Sequence, residues 1–347
     1  MEQVWIPRRG GPEVLEVRRG DDPTPGPGEV RIRVAFAGVN FADVMIRMGL
    51  YPDAPPLPLV PGYEAAGTVD AVGDGLEADR WVGRRVVAVV PRGGYADVLC
   101  ADPALVFPLP DGLPLETAAA LPVNGLTAWQ MLGVMAPPRE GDTVVVHGAA
   151  GGVGTLALQL ARRAGARVIG SASPSKHAWL RELGVDVCLD SRRGRYADLV
   201  RELTGGRGAD IVLEPRHGSW IWESYRSLAP TGRLVLFGFA AAARGLRGSP
   251  LAALWTLLRV PWLRINPISL MNDNRGIMGV NLGRLWHDTA RLGGWLRHLL
   301  DLAARGELVP RIDTVLPLER AAEAHLRLQQ RRNRGKILLR PHGEAAA

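Results

Sequence analysis

Cysteine and lysine are almost missing from this chain. Of its 347 residues only Cys100 and Cys188 carry thiols, which excludes a disulfide framework and a four-cysteine zinc lobe. Only Lys176 and Lys336 are lysines, and the other 40 cations are arginines. No apolar run reaches the roughly 20 residues that span a bilayer. The opening MEQVWIPRRGG lacks the apolar stretch of a secretory leader, so a cytoplasmic protein is expected. A block of like charge is missing too. The net charge of +7 comes from arginines spread along the chain, densest at Arg331, Arg332 and Arg334. No nucleic-acid-binding motif accompanies them, so no nucleic-acid partner is expected.

What is present is ordinary for an enzyme and long enough for two cores: 47% apolar and 22% charged residues. The first 123 or so residues read as strands and turns. Glu29–Ala37 alternates charged and apolar side chains, as a half-buried strand does. Five prolines crowd Tyr51–Gly62, and Gly83–Val90 reads as another strand. After Pro122 the pattern changes. Asp142–His147 is a β-branched run suited to a buried parallel strand, and Val153–Ala164 has helical periodicity. Strand-type runs at 167–170, 185–189, 210–214 and 233–237 then alternate with helix-type runs. Repeated β and α of this kind predict a doubly wound parallel sheet, so the fold class is α/β with a β-rich first domain. Ile312–Leu316 and Lys336–Leu339 read as strands returning to that first domain. The expected division is 1–123, completed by about 307–347, and 124–306. A Trp- and Leu-rich insert lies near 240–270. Its stretch Leu251–Leu263 suits a helix on the core or at a subunit interface, a substrate lid, or an interfacial membrane anchor.

The most informative motif is Val144-Val-Val-His-Gly-Ala-Ala-Gly-Gly-Val-Gly154. A strand there hands the chain to a helix through a glycine turn. Glycines let backbone approach a pyrophosphate, and the helix start offers free N–H groups and the positive dipole end. Gly151, Gly152, Val153 and Gly154 are therefore candidate dinucleotide contacts. About 20 residues on, an NAD enzyme places an acid for the ribose 2′-hydroxyl. Here the chain reads Gly170-Ser-Ala-Ser-Pro-Ser-Lys176 with no acid. Hydroxyls and a cation attract a 2′-phosphate, so Ser171, Ser173 and Lys176 point to NADPH.

With these motifs in view, the chain resembles the zinc-free quinone oxidoreductases of the medium-chain dehydrogenase/reductase superfamily. The resemblance rests on AGVNFADVMIRMGLY (37–51), LVPGYEAAGTV (59–69), LPVNGLTAWQML (121–132), GAAGGVG (148–154) and GKILL (335–339). The segment NPISLMNDNRGIMGVNLG (266–283) is similar to the vesicle-amine-transport-protein branch. The resemblance implies a GroES-like β-barrel catalytic domain, a Rossmann domain and an active site in the cleft between them. It also implies a homodimer paired along a Rossmann edge strand at 276–282.

Zinc relatives carry Cys where this chain has Asn40 and His where it has Tyr63. Neither replacement is a usual zinc ligand, so no metal is expected. Glu64 is then a buried structural acid and Asp43 a polar partner in the cleft. Hydride addition to a quinone or enone leaves a negatively charged oxygen that hydrogen-bond donors stabilise. The resemblance places Asn40 and Tyr51 in that role. It also places Asn124, Thr127, Phe237 and Gly238 along the cofactor, and Lys336 near its phosphates. His147 is expected to be a core histidine.

Three activities fit: an NADPH:quinone reductase, an alkenal or enoyl-thioester reductase, and a nucleotide-binding, membrane-associated protein of low turnover.

Overall fold

The computed structural model describes residues 1–51, 54–192, 194–216, 218–238 and 266–341. The stretch Leu251–Leu263 falls outside them. In chain order the strands are β1 (Glu2–Trp5), β2 (Glu16–Arg19), β3 (Val30–Val39), β4 (Glu64–Val72), β5 (Arg85–Val89), β6 (Val98–Ala101) and β7 (Val106–Pro108). They continue with β8 (Thr143–His147), β9 (Arg167–Ala172), β10 (Val187–Asp190), β11 (Ala209–Glu214), β12 (Leu228–Phe237), β13 (Gly276–Val280), β14 (Ile312–Pro317) and β15 (Lys336–Arg340).

The chain divides into two compact units, and it passes from the first to the second between Leu126 and Thr127. The first holds the described residues within 1–126 and 283–341. Its sheet runs β14-β15-β3-β4-β5-β7, with β6 also paired to β3. β3 shows how sequence makes this sheet. Val30, Ile32 and Val34 are buried, while Arg31 and Arg33 turn outward to Asp70 at 2.8 and 2.5 Å. The alternation read from the sequence is thus the pleat itself. β15 lies antiparallel to β3 and parallel to β14, so it is an inner strand of this sheet.

The helix Thr289–Ala304 also belongs to the first unit, which moves the expected boundary from about 306 back to 283. A β-carbon added at Gly293 would lie 3.1 Å from Phe107, and one added at Gly125 would lie 3.3 Å from Leu299.

The second unit is the parallel sheet β10-β9-β8-β11-β12-β13. All five residues of β8 are buried, as expected of a central parallel strand covered on both faces. The strand order reverses between β8 and β11, the switch point of a doubly wound fold. β13 is the outer strand on one side.

One buried group in the first unit works against the fold. Arg47, in the helix Phe41–Met48, is fully buried and donates from Nη2 to Gln329 at 3.0 Å. Its Nε and Nη1 have no partner among the described residues, and burial pushes the guanidinium down to about 10. A cation whose pKa is lower folded than unfolded costs stability throughout the pH range in which it is charged. Arg47→Met, which keeps the length and removes the charge, is expected to stabilise the protein by about 2 kcal/mol. Urea unfolding at pH 7 checks this. A lower midpoint for the variant would show that the guanidinium is a net asset.

Candidate functional site

In the first unit three strand ends meet. Asn40 follows β3, Glu64 begins β4 and Lys336 begins β15. The registers Ala37↔Ala65 and Val39↔Ile337 bring them side by side. Asn40 is 5% exposed, Glu64 0% and Lys336 2%. The Lys336 ammonium donates to Asn40 Oδ1 at 2.7 Å and to Glu64 Oε1. Asn40 Nδ2 donates to the same Glu64 oxygen at 2.8 Å. The other oxygen of Glu64 accepts from the Val123 amide at 2.7 Å. A β-carbon at Gly38 would sit 2.3 Å from Glu64 Oε1, so only glycine leaves room for this carboxylate.

This arrangement corrects the expectation for Lys336. Its ammonium is buried between an acid and an amide, which removes it from the phosphate role. Sequence reasoning missed the Glu64–Lys336 pair because 272 residues separate the partners.

Asp43 is also corrected. It is fully buried. It accepts from the Asn40 amide at 2.8 Å, the Gly62 amide at 3.1 Å and the Tyr95 hydroxyl at 3.1 Å. Burial pushes its carboxyl up to about 7 against those donors. The Tyr95 hydroxyl lies 3.1 Å from His325 Nε2, and burial holds that imidazole well below its usual range. Tyr51 packs with Ile6, Ile46, Leu59 and Tyr63, and Tyr63 stacks on Trp286 with ring centroids 5.8 Å apart. Asn124 is 7% exposed in the helix Pro122–Trp129.

The donor set around Asn40 does not fit zinc. The two candidate ligand positions hold an amide and a phenol, and the nearest carboxylate already carries an ammonium. A divalent ion beside Lys336 would meet like charge. Among the described residues no cluster of three or more His, Cys, Asp or Glu side chains forms a metal site.

In the second unit β8 runs into the glycine turn and then the helix Gly152–Arg163. Gly151 is the N-cap residue and no side chain caps the helix. A β-carbon at Gly154 would lie 2.4 Å from the Gly148 carbonyl and 2.7 Å from that of Ala149. The turn and the helix therefore pack closer than any other residue allows. Gly152 and Val153 form the first helical positions. The uncapped amides and the close backbone suit a pyrophosphate.

At the end of β9, Ser171 departs from expectation. It is fully buried, and its hydroxyl lies 2.9 Å from the Tyr196 hydroxyl, so it is withdrawn from a 2′-phosphate role. Ser173 and Lys176 remain at the surface end of the turn, with Ser173 Oγ 3.3 Å from Ser175 Oγ. Thr127 is half-buried. Phe237 ends β12 and is half-buried, and Gly238 follows it, exposed.

A buried polar cluster that includes His147 lies beside this turn. Glu214, at the end of β11, takes Arg216 in a two-pronged pair at 2.9 and 2.7 Å and accepts from the Ser224 hydroxyl at 2.6 Å. The Arg216 guanidinium lies 4.3 Å from the Trp220 ring centre and 4.8 Å from that of Tyr196. Burial pushes the Glu214 carboxyl up, but the Arg216 guanidinium and the Ser224 hydroxyl outweigh it and hold the group below its usual range. His147 is 1% exposed, and burial with the Arg216 charge lowers it to about 3. It is a neutral core histidine at physiological pH.

Comparison with known proteins agrees with this anatomy. Residues 26–111 match the alcohol dehydrogenase GroES-like domain, and residues 152–292 match the zinc-binding dehydrogenase domain. A GroES-like unit with a Rossmann unit defines a medium-chain dehydrogenase/reductase. The chain is 39% identical to the synaptic vesicle membrane protein VAT-1 homolog of Rattus norvegicus over 95% of its own length and 81% of that protein. It is 34% identical to a probable quinone oxidoreductase of Schizosaccharomyces pombe, over 97% of its own length and 96% of that protein. A mycobacterial structure complexed with NADPH matches with TM-score 0.84 and 33% identity, over 98% of this chain and all of that one. The chain belongs to the quinone-oxidoreductase-like family of oxidoreductases that includes the VAT-1 homologues. No described helix is long and apolar enough to cross a membrane.

Proposed function

We propose that the protein is an NADPH-dependent, zinc-independent cytoplasmic reductase that transfers hydride to quinones or related electron-poor enones. The observation that carries this reading is the Asn40–Glu64–Lys336 cluster. It offers a hydrogen-bond donor where zinc relatives hold a metal. Bound NADPH supplies the hydride. Gly151, Gly152, Val153 and Gly154 hold its pyrophosphate at the helix N-terminus, with Asn124, Thr127, Phe237 and Gly238 lining the rest. Asn40 Nδ2 donates to the oxygen that gains charge, and the proton comes from the Tyr51 hydroxyl or from solvent. The working form in this reading is a homodimer joined along β13, the outer strand of the parallel sheet.

The deciding experiment follows NADPH and NADH oxidation at 340 nm with metal-stripped protein against quinones, alkenals and enoyl thioesters. Quinone turnover with NADPH that chelator leaves unchanged is the expected result. Turnover confined to thioesters, or lost on metal removal, would overturn the reading.

Ser173 and Lys176 carry the preference for NADPH. Lys176→Glu is expected to raise KM for NADPH by roughly 10–100-fold, since it removes a favourable charge and adds a repulsive one. KM for NADH should stay within about twofold, because NADH presents no 2′-phosphate to repel. Equal rises for both cofactors would place the 2′-phosphate elsewhere.

A further inference from the structure

We infer that Lys336 and Glu64 are positioning residues that lock the Asn40 carboxamide with Nδ2, not Oδ1, as its outward donor. The inference rests on the reading of Asn40 as the oxyanion donor and adds how that donor is kept in the right orientation. An asparagine amide is nearly symmetric in shape, so rotation by 180° exchanges a donor for an acceptor with little steric consequence. In a reductase that exchange would present a carbonyl to a developing negative charge.

The neighbours of Asn40 decide the orientation. An ammonium has only donors, so the Asn40 atom 2.7 Å from Lys336 Nζ must be the acceptor Oδ1. A carboxylate has only acceptors, so the Asn40 atom 2.8 Å from Glu64 Oε1 must be the donor Nδ2. Turning the amide over would set carbonyl against carboxylate and N–H against ammonium, two repulsive contacts in a buried setting. Asp43 fixes the same residue from its backbone side, through the Asn40 amide at 2.8 Å. One Nδ2 hydrogen is thus committed to Glu64. The second has no acceptor among the described residues and is the hydrogen the substrate oxygen would take. Glu64 is itself held by the Val123 amide at 2.7 Å, so the lock does not drift with a loose carboxylate.

The test uses the full-length enzyme. Lys336→Met, Lys336→Arg and the double change Lys336→Met with Glu64→Gln are each made in the native and in the Asn40→Ala backgrounds. Steady-state rates with a quinone, NADPH dissociation constants and the side-chain amide spectrum of 15N-labelled protein are recorded. The Asn40 pair is assigned by its loss in Asn40→Ala. Lys336→Met is expected to lower kcat by roughly 10–100-fold in the native background and to cause no further loss beside Asn40→Ala. Lys336→Arg should recover part of the rate, and NADPH affinity should stay within about twofold in every variant. The two Asn40 Nδ2 protons, well separated in the native protein, should move toward one another when the lock is removed. The double variant keeps the buried pair neutral, so it reads the lock even where Lys336→Met alone fails to fold. Three results would overturn the inference: equal kcat losses in both backgrounds, weakened NADPH binding, or an unchanged Asn40 amide pair. If the native protein turns over no quinone or enone, the functional reading falls, and the amide spectra still decide the lock by themselves.

Discussion

Asn40→Ala is expected to lower kcat for quinone reduction by roughly 10²–10³-fold, the usual loss when one preorganised donor to a developing oxyanion is removed. KM for NADPH should hardly change, since the glycine turn that would hold the pyrophosphate belongs to the second unit. The size of the effect follows from burial. Asn40 is 5% exposed, and its amide is already turned by two neighbours, so it pays little to reorganise during the reaction. An interaction made only in the transition state lowers kcat and kcat/KM together when it is lost. Steady-state kinetics decide the point. A variant that raises KM for the quinone with kcat intact would make Asn40 a ground-state contact.

Glu214→Ala is expected to destabilise the protein by about 3–5 kcal/mol, the range seen when one partner of a buried ion pair is deleted. The carboxylate is fully buried and accepts four hydrogen bonds, three from Arg216 and one from Ser224. Without it the Arg216 guanidinium, 8% exposed, keeps the Tyr196 and Trp220 rings but no carboxylate among the described residues. The cost is that of an uncompensated buried charge, not of lost packing. A double change to Glu214→Leu with Arg216→Met should therefore return most of the loss. Urea unfolding of the three proteins at pH 7 separates these terms. A loss below about 1 kcal/mol for Glu214→Ala would mean that water reaches the guanidinium.

The periodicities that sequence carries are local, and they located the elements well. The alternation of Glu29–Ala37 became β3, and Asp142–His147 became β8 with every residue buried. The glycine turn was legible because its chemistry is local as well: Gly151 and Gly154 act on backbone within a few residues of themselves. What sequence did not disclose were pairings between distant side chains. Lys336 reads as a cation near the cofactor phosphates until β15 is set beside β3. Ser171 looked like a phosphate ligand until Tyr196, 25 residues on, was found against its hydroxyl. Tyr95 and His325 face each other across 230 residues, a separation that no motif spans. The Asn40 site was half legible, since the residue types told against zinc while the ammonium beside Glu64 could not be seen.

The place of β15 sets an order on how this molecule comes into being. It is the last of the described strands, and it fills the slot between β14 and β3, one of the earliest. During synthesis the whole second unit, whose last strand ends at Val280, leaves the ribosome before Lys336 does. The parallel sheet can therefore close while β3 still waits for its neighbour. Glu64 waits as well, an acid made to be buried with a cation that arrives 272 residues later. A nascent or prematurely terminated chain that stops short of Lys336 can own a finished nucleotide fold and still leave Asn40 without its lock.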